Sequence, residues 1–407
     1  MTQIDVVITG MGAISSVGVG ADTLWAAARD GKTGMRETKF PERLYDQKVF
    51  VAAGIDKDLQ AQHAVHQRPR MQDQVTHYAL IAAEEAIQQA GLSIGDFGEE
   101  TGVIVGSGFG GAQTLDDNYW KYARPELGER MDPFSIPKIM TNAAASWISM
   151  TYGASGPIYC NSTACSSAGQ SIGMAYHLVK SGMMERAITG GTEACVVPGV
   201  FRAWEVLRVL SPTLCRPFSK DRNGMLLGEG AGILVVETRE SAEARGATIL
   251  ATLDGYGTSA DAGDLLRPDP TGAARSMAQA IKTAGITAKD VGYVNAHGTA
   301  TVANDVSETD AMRQVFGDAF DDLAVSSTKP VHGHALGAAG ALEAIVSIGA
   351  LRDGLAPPTL NFNELDPKIG FVPVIEKPRA LNTNYVMSNS FAFGGINASL
   401  IFGTANR

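Results

Sequence analysis

The sequence predicts an α/β protein assembled from two similar halves, each a sheet covered by helices. Two observations predict it. The first is a set of apolar runs rich in Val and Ile: Val6 to Thr9, Val103 to Val105, Ile233 to Val236 and Val291 to Val294. They lack the polar alternation of a half-exposed strand and read as strands buried on both faces, with helical patterns between them, as a largely parallel sheet covered by helices requires. The second is an internal repeat. Ala86-Ile87-Gln88-Gln89-Ala90-Gly91-Leu92-Ser93-Ile94-Gly95-Asp96 is matched by Ala280-Ile281-Lys282-Thr283-Ala284-Gly285-Ile286-Thr287-Ala288-Lys289-Asp290. Each copy is a helix closed by a glycine, and each leads into an apolar strand ending in glycine, Thr101 to Gly108 and Val291 to Gly298. Two copies are too few for a solenoid. The join falls near residues 240 to 255, so an N-terminal half over 1–250 and a C-terminal half over 251–407 are expected.

Composition narrows the function. The 407 residues are 45% hydrophobic and 19% charged, a globular balance. A net charge of -10 argues against nucleic acid as the main partner, since a phosphate backbone is bound by clustered Lys and Arg. No stretch is apolar and long enough to span a bilayer. The opening Met1-Thr2-Gln3-Ile4-Asp5-Val6-Val7 has no basic segment before its apolar run and reads as a first strand, so a cytoplasmic location is expected. Cys160, Cys165, Cys195 and Cys215 form no CxxC pair, which points away from zinc knuckles and disulfide frameworks.

Chemistry-bearing residues gather in loops of small residues. Asn161-Ser162-Thr163-Ala164-Cys165-Ser166-Ser167 lies between a short strand and a helix running to about Lys180. At such a turn the helix dipole and unpaired N–H groups favour a thiolate and can hold an oxyanion. Asn295-Ala296-His297-Gly298-Thr299-Ala300-Thr301 follows a strand, which puts His297 where α/β folds place active sites. Lys329-Pro330-Val331-His332-Gly333-His334 precedes a helix with Glu343 one turn in, and Asn389-Ser390-Phe391-Ala392-Phe393-Gly394-Gly395 is a glycine-rich turn near the C-terminus. One Cys, two His and one Lys in such loops suit nucleophilic acyl transfer.

At these four motifs, and over Val6 to Phe402, the chain resembles the β-ketoacyl-[acyl-carrier-protein] synthase I and II family of condensing enzymes. The resemblance implies the thiolase fold, an α/β class with two pseudo-duplicated halves in αβαβα layers with mixed sheets. It implies Cys165 as the acylated nucleophile, His297 and His334 as the histidine pair, Lys329 and Glu343 as their partners, and Phe393 as the backbone oxyanion partner of Cys165. Phe391 belongs to the same C-terminal motif and is assigned to substrate binding. His332 falls outside the pattern and reads as a loop residue. Relatives primed by acyl-coenzyme A typically carry Asn at the second histidine, thiolases a second Cys, and non-catalytic chain-length factors lack the nucleophile. His334 and Cys165 therefore favour condensation by malonyl decarboxylation. The carbon dioxide leaves an enolate held by the two histidines, and the product belongs to fatty acid or polyketide synthesis.

The same resemblance implies that Thr299 and Thr301 hold the phosphopantetheine arm, supplied by the acyl carrier protein, so that no resident cofactor or metal is expected. The acidic carrier calls for a basic patch on this acidic chain, for which Arg68 and Arg70, then Arg130 and Arg202, are the candidates. Phe109 is expected at a gate beside the acyl pocket. A homodimer, or a heterodimer with a related chain-length-factor-like subunit, is expected.

Three features point elsewhere. Gly106-Ser107-Gly108-Phe109-Gly110-Gly111 contains a dinucleotide-type GxGxxG string, but no acidic residue ends a second strand about twenty positions on. His332 and His334 form an HxH pair without an acidic cluster for a metal. Asp261 to Pro268 departs from the synthase II pattern, with Asp264 and Leu265 where aromatic and His residues are usual, and altered chain gating or carrier choice is expected from it.

Overall fold

The structure is a computed structural model and describes residues 4–40, 46–128 and 130–406. Its principal elements run β1 (Val6–Ser15), α1 (Gln74–Gln89), β2 (Thr101–Gly106), β3 (Ile158–Tyr159), α2 (Ser167–Lys180), β4 (Arg186–Glu193), α3 (Pro198–Leu207), β5 (Gly230–Thr238) and β6 (Ala251–Ala260). They continue with α4 (Pro270–Ala284), β7 (Val291–Asn295), α5 (Val302–Phe316), β8 (Ala324–Ser326), α6 (Ala339–Asp353), β9 (Tyr385–Ala392) and β10 (Ile396–Gly403).

The strands join in the order β8-β7-β9-β10-β6-β1-β5-β4-β2-β3. Outward from β1 the partners are antiparallel, antiparallel, parallel and parallel, and outward from β6 the same sequence recurs. Two register pairs, Val7 with Thr252 and Ile8 with Ala251, join the two sets. The pairing is thus mixed, as the family resemblance implied, and the largely parallel sheet suggested by the apolar runs alone is corrected. Direct returns such as β9 to β10 force antiparallel neighbours, while crossovers through helices give the parallel ones.

Layering follows from which face each strand residue buries. In β2, Ile104 enters the central core while Val103 and Val105 enter the outer one under α1. The central core takes Leu234 and Val236 from one set of strands, Leu253, Tyr293 and Leu400 from the other, and Ile172, Tyr176, Leu342 and Ile345 from α2 and α6. An outer core beneath α4 and α5 collects Met277, Val294 and Met312. Every residue of α6 from Ala339 to Leu351 is buried, as an apolar helix between two sheets must be. Gly173 on α2 permits the close approach of Tyr256, since a Cβ there would stand 2.3 Å from the ring. α2 and α6 run side by side, and their N-terminal turns meet.

Candidate active site

Cys165 lies in the turn that opens α2. Ala164 adopts φ 50°, a left-handed conformation that a residue with a side chain rarely takes. Three hydroxyl contacts close the turn. Ser167 Oγ accepts from Thr163 N at 2.9 Å and donates to Ala164 O at 2.7 Å, and Ser166 Oγ donates to Thr163 O at 2.9 Å. The turn before α6 repeats the conformation, with Leu336 at φ 43°.

His334, two residues before Leu336, brings its Nε2 to 3.1 Å from Cys165 Sγ. Its backbone is clamped to the segment before β5, His334 N donating to Leu226 O at 2.8 Å and Gly228 N to His334 O at 3.0 Å. His297 stands at the C-terminal end of β7, its ring 5.3 Å from that of His334 and nearly perpendicular to it. Lys329 Nζ lies 3.3 Å from His297 Nδ1 and is paired with Glu343 Oε1. Lys329 and Glu343 are fully buried. An ammonium can only donate, so His297 Nδ1 accepts and its proton sits on Nε2. No partner reaches His334 Nδ1 among the described residues, so nothing pins its tautomer.

Burial dominates the electrostatics. It pushes the Cys165 thiol up to about 12, against the pull of Lys329, so the thiolate favoured by a helix start is opposed by desolvation. Burial, then the Lys329 charge, hold His297 and His334 well below the usual histidine range, and both rings are neutral near pH 7. Glu343 is pushed up to about 7 by burial, against Lys329. The arrangement offers a nucleophile with a base beside it and N–H donors for a charge developing on oxygen.

A cavity of about 80 Å³ opens onto this group. Cys165, His297, His334, Thr299, Thr301, Phe391 and Phe393 all line it. The Thr299 and Thr301 hydroxyls are 2.9 Å apart, and Phe393 stacks on Trp204 of α3. Asp264, Leu265, Leu266 and Arg267 of the divergent segment line the same cavity. Phe109 does not; it is 41% exposed on the loop after β2, where Gly108 O accepts from Ser162 Oγ at 3.3 Å.

Arg68, Arg70 and Arg130 are exposed, Arg68 lying over the Trp147 ring. Arg202 is half-buried and ion-paired to Glu205 at 3.2 Å, so its charge is already engaged. His332 corrects the loop reading. It ends a short helix, Lys329–His332, fully buried, with Nε2 on Thr328 Oγ1 and Nδ1 on Gly333 O. Both its nitrogens are thereby engaged within the fold. The His and Cys atoms that do come together, all within 4.8 Å, are those of Cys165, His297 and His334.

Three buried carboxylates that shape the site escaped the sequence reading. Glu308 on α5 accepts from His297 N and Gly298 N, both at 2.8 Å, and fixes the loop that presents His297. Asp305, three residues earlier on that helix, accepts from Ala300 N and Phe218 N. Glu193 at the end of β4 accepts from Gly108 N at 2.8 Å, Phe109 N at 3.1 Å and Gly337 N at 3.0 Å. It thereby occupies N–H groups that the GxGxxG string would need for a phosphate. The available signal was two acids at i and i+3 directly after the His297 motif.

Residues 3–242 match the family described as "Beta-ketoacyl synthase, N-terminal domain" and residues 250–363 its C-terminal domain. The chain is 40% identical over 398 residues to Nodulation protein E of Rhizobium meliloti (strain 1021), covering 98% of each chain. It is 40% identical over 406 residues to 3-oxoacyl-[acyl-carrier-protein] synthase 2 of Staphylococcus aureus (strain N315), covering 98% of this chain and 97% of that one. The solved ishigamide ketosynthase/chain length factor superposes with a TM-score of 0.93 at 34% identity, covering 100% of both chains. A cysteine and two histidines meeting under a mixed α/β architecture, in a chain matched end to end by ketosynthases, place it in the β-ketoacyl-[acyl-carrier-protein] synthase I/II family of condensing enzymes, acyltransferases of the thiolase fold.

Proposed function

We propose that this condensing enzyme carries its acyl group on Cys165. The observation that supports the reading is His334 Nε2 at 3.1 Å from the sulfur, with His297 beside it in a buried cavity. The Sγ–H proton passes to His334 as sulfur attacks the carbonyl of a carrier-bound thioester. The oxyanion is held by the N–H groups of Cys165 and Phe393. The arm's carbon–sulfur bond breaks, and the departing thiolate takes the proton back. A malonyl thioester then enters. Its carboxylate leaves as carbon dioxide, and the electron pair of the broken bond forms an enolate whose oxygen accepts from His297 Nε2–H and from His334, whose unpinned ring has by then exchanged its proton from Nδ1 to Nε2. The enolate carbon attacks the acyl carbonyl, and the Cys165 thiolate is released. Lys329 and Glu343 act through His297, holding its Nδ1 as acceptor. Thr299, Thr301 and Phe391 hold the arm and acyl thioester. Phe109, which does not line this cavity, we keep as a gate beside the acyl pocket.

The carrier protein meets the chain through exposed Arg68, Arg70 and Arg130; Arg202, already paired, contributes less. We assign the N-terminal half to residues 1–250 and the C-terminal half to 251–407. A subunit interface is proposed at β3, which leaves a sheet edge open, and at the exposed Tyr119, Tyr122, Ile136, Met150, Ile158 and Tyr159, apart from the arginines assigned to the carrier. The covering subunit is a second copy, or a related chain-length-factor-like subunit as in the ishigamide complex.

Mass spectrometry of the chain incubated with acyl carrier protein tests the reading. An acyl adduct on Cys165 is expected, with none on Cys165→Ala. An undiminished adduct on the variant, or condensation at the wild-type rate, refutes it. Light scattering of the chain alone distinguishes a homodimer from a subunit that needs a partner.

A further inference from the structure

The segment that departs from the family pattern supplies the inference. Among the described residues lining the cavity at Cys165, Arg267 is the one Lys or Arg. Lining groups grade outward from buried Cys165, His297 and Thr299, through half-buried Thr301, to exposed Leu265, Leu266 and Arg267. Arg267 therefore stands at the mouth. Its guanidinium has no ion-pair partner within 4.0 Å among the described residues.

The backbone beneath it is held in place. Asp264 Oδ1 accepts from Leu266 N at 2.8 Å and Arg267 N at 2.9 Å, and Leu265 O accepts from Gly394 N at 2.8 Å, tying the segment to the turn that follows Phe393. Asp261 accepts from Asn397 Nδ2 at 2.7 Å and Asp269 N at 3.0 Å. Both carboxylates at the mouth accept from the loop's own N–H groups; Asp264 also feels the Arg267 charge, but no carboxylate is paired with the guanidinium within 4.0 Å among the described residues, which leaves its N–H fork for an incoming ligand. A phosphopantetheine arm carries a thiol at one end, amides in the middle, and a geminal dimethyl group beside a phosphodiester at the other. An arm with its thioester at Cys165 and its amides near the threonine hydroxyls would bring its dimethyl group toward Leu265 and Leu266 and its phosphate toward the cation, since all of them line one cavity.

We propose that Arg267 binds the phosphodiester of the incoming arm and makes this enzyme discriminate phosphorylated from unphosphorylated pantetheine thioesters. The assignment rests on the acyl-Cys165 reading and deepens it by naming the chemistry read at the entrance. A guanidinium fork matches two phosphate oxygens, and its exposure makes the contact salt-sensitive. The test uses the full chain and one acyl group presented on phosphopantetheine and on pantetheine, with Cys165 acylation followed by mass spectrometry. Wild type should be acylated about tenfold more efficiently by the phosphorylated thioester at low salt, and Arg267→Ala should lose that preference, the loss falling on the phosphorylated thioester. Arg267→Lys should recover part of it. An equal preference in wild type and Arg267→Ala overturns the proposal, as does an effect confined to the intact holo-carrier, which would put Arg267 on the carrier's protein surface. Failure of both thioesters to label Cys165 would overturn the nucleophile assignment together with this one.

Discussion

His297 and His334 are neutral donors near pH 7 because burial and Lys329 hold both far below the usual histidine range. Each N–H aimed at a developing oxyanion is worth about 3 kcal/mol, so His297→Ala and His334→Ala should each slow malonyl decarboxylation roughly a hundredfold in a carbon dioxide release assay. The two differ at the thiol. His334 touches Sγ and His297 does not, so alkylation of Cys165 by iodoacetamide should change in His334→Ala and remain near wild type in His297→Ala. With the free thiol pushed up to about 12, the alkylation rate should climb steadily from pH 7 to 9 without levelling. A plateau below pH 8 would show that the start of α2 outweighs desolvation. The motifs made Cys165, His297, Lys329 and His334 legible, since each is a local string of small residues around one reactive group. The thiol's protonation was not legible, because desolvation depends on what packs around the sulfur.

At the scale of elements, the active site is two loops held by carboxylates from other parts of the chain. Glu308 on α5 takes both the His297 and Gly298 N–H groups, and Glu193 on β4 takes those of Gly108, Phe109 and Gly337. At Gly337 a Cβ would stand 2.4 Å from Gly108 N, so the loops meet backbone to backbone. Glu308→Gln turns an amide toward one of two buried N–H donors and should lower stability by about 1–3 kcal/mol, read as a fall in urea midpoint. It should also reduce decarboxylation, with Thr299 and Thr301 still able to bind the arm, so kcat should fall more than KM changes. Buried acids on α5 look like surface charges in sequence; only the fold turns Asp305 and Glu308 inward.

Across the whole molecule, buried titratable groups set the response to pH. His77 and His332 are held down to about 4 and about 3, chiefly by burial, so their contribution is complete above 6.5 and is lost as pH falls through those values. Glu193, Glu229, Glu308 and Glu343 are raised to about 7, also by burial. Their contribution is complete below 4.5 and is lost as pH rises through 7. Each group changes stability by about 1.4 kcal/mol per pH unit within its window. With His297 and His334 also held down, four histidines oppose the four glutamates, so urea midpoints should rise as pH falls from 7 to 6.5, vary little between 6.5 and 4.5, and fall below 4.5. A midpoint still rising below 4.5 would contradict neutral burial of the histidines.

The α/β class, the duplicated helix–strand unit and the four reactive motifs were determined by the sequence itself, because hydrophobic period, glycine punctuation and small-residue loops are properties of neighbouring residues. Strand sense was not, because it depends on how distant segments cross, and the sheets are mixed where apolar runs alone suggested parallel. Tertiary structure alone decided that Cys165 meets His334, 169 residues away, that Phe109 stays out of the cavity, that Arg202 is already paired and that His332 is buried. Distance along the chain carries no information about these contacts; they are set by how α2 and α6 pack between the two sheets and bring their first turns together.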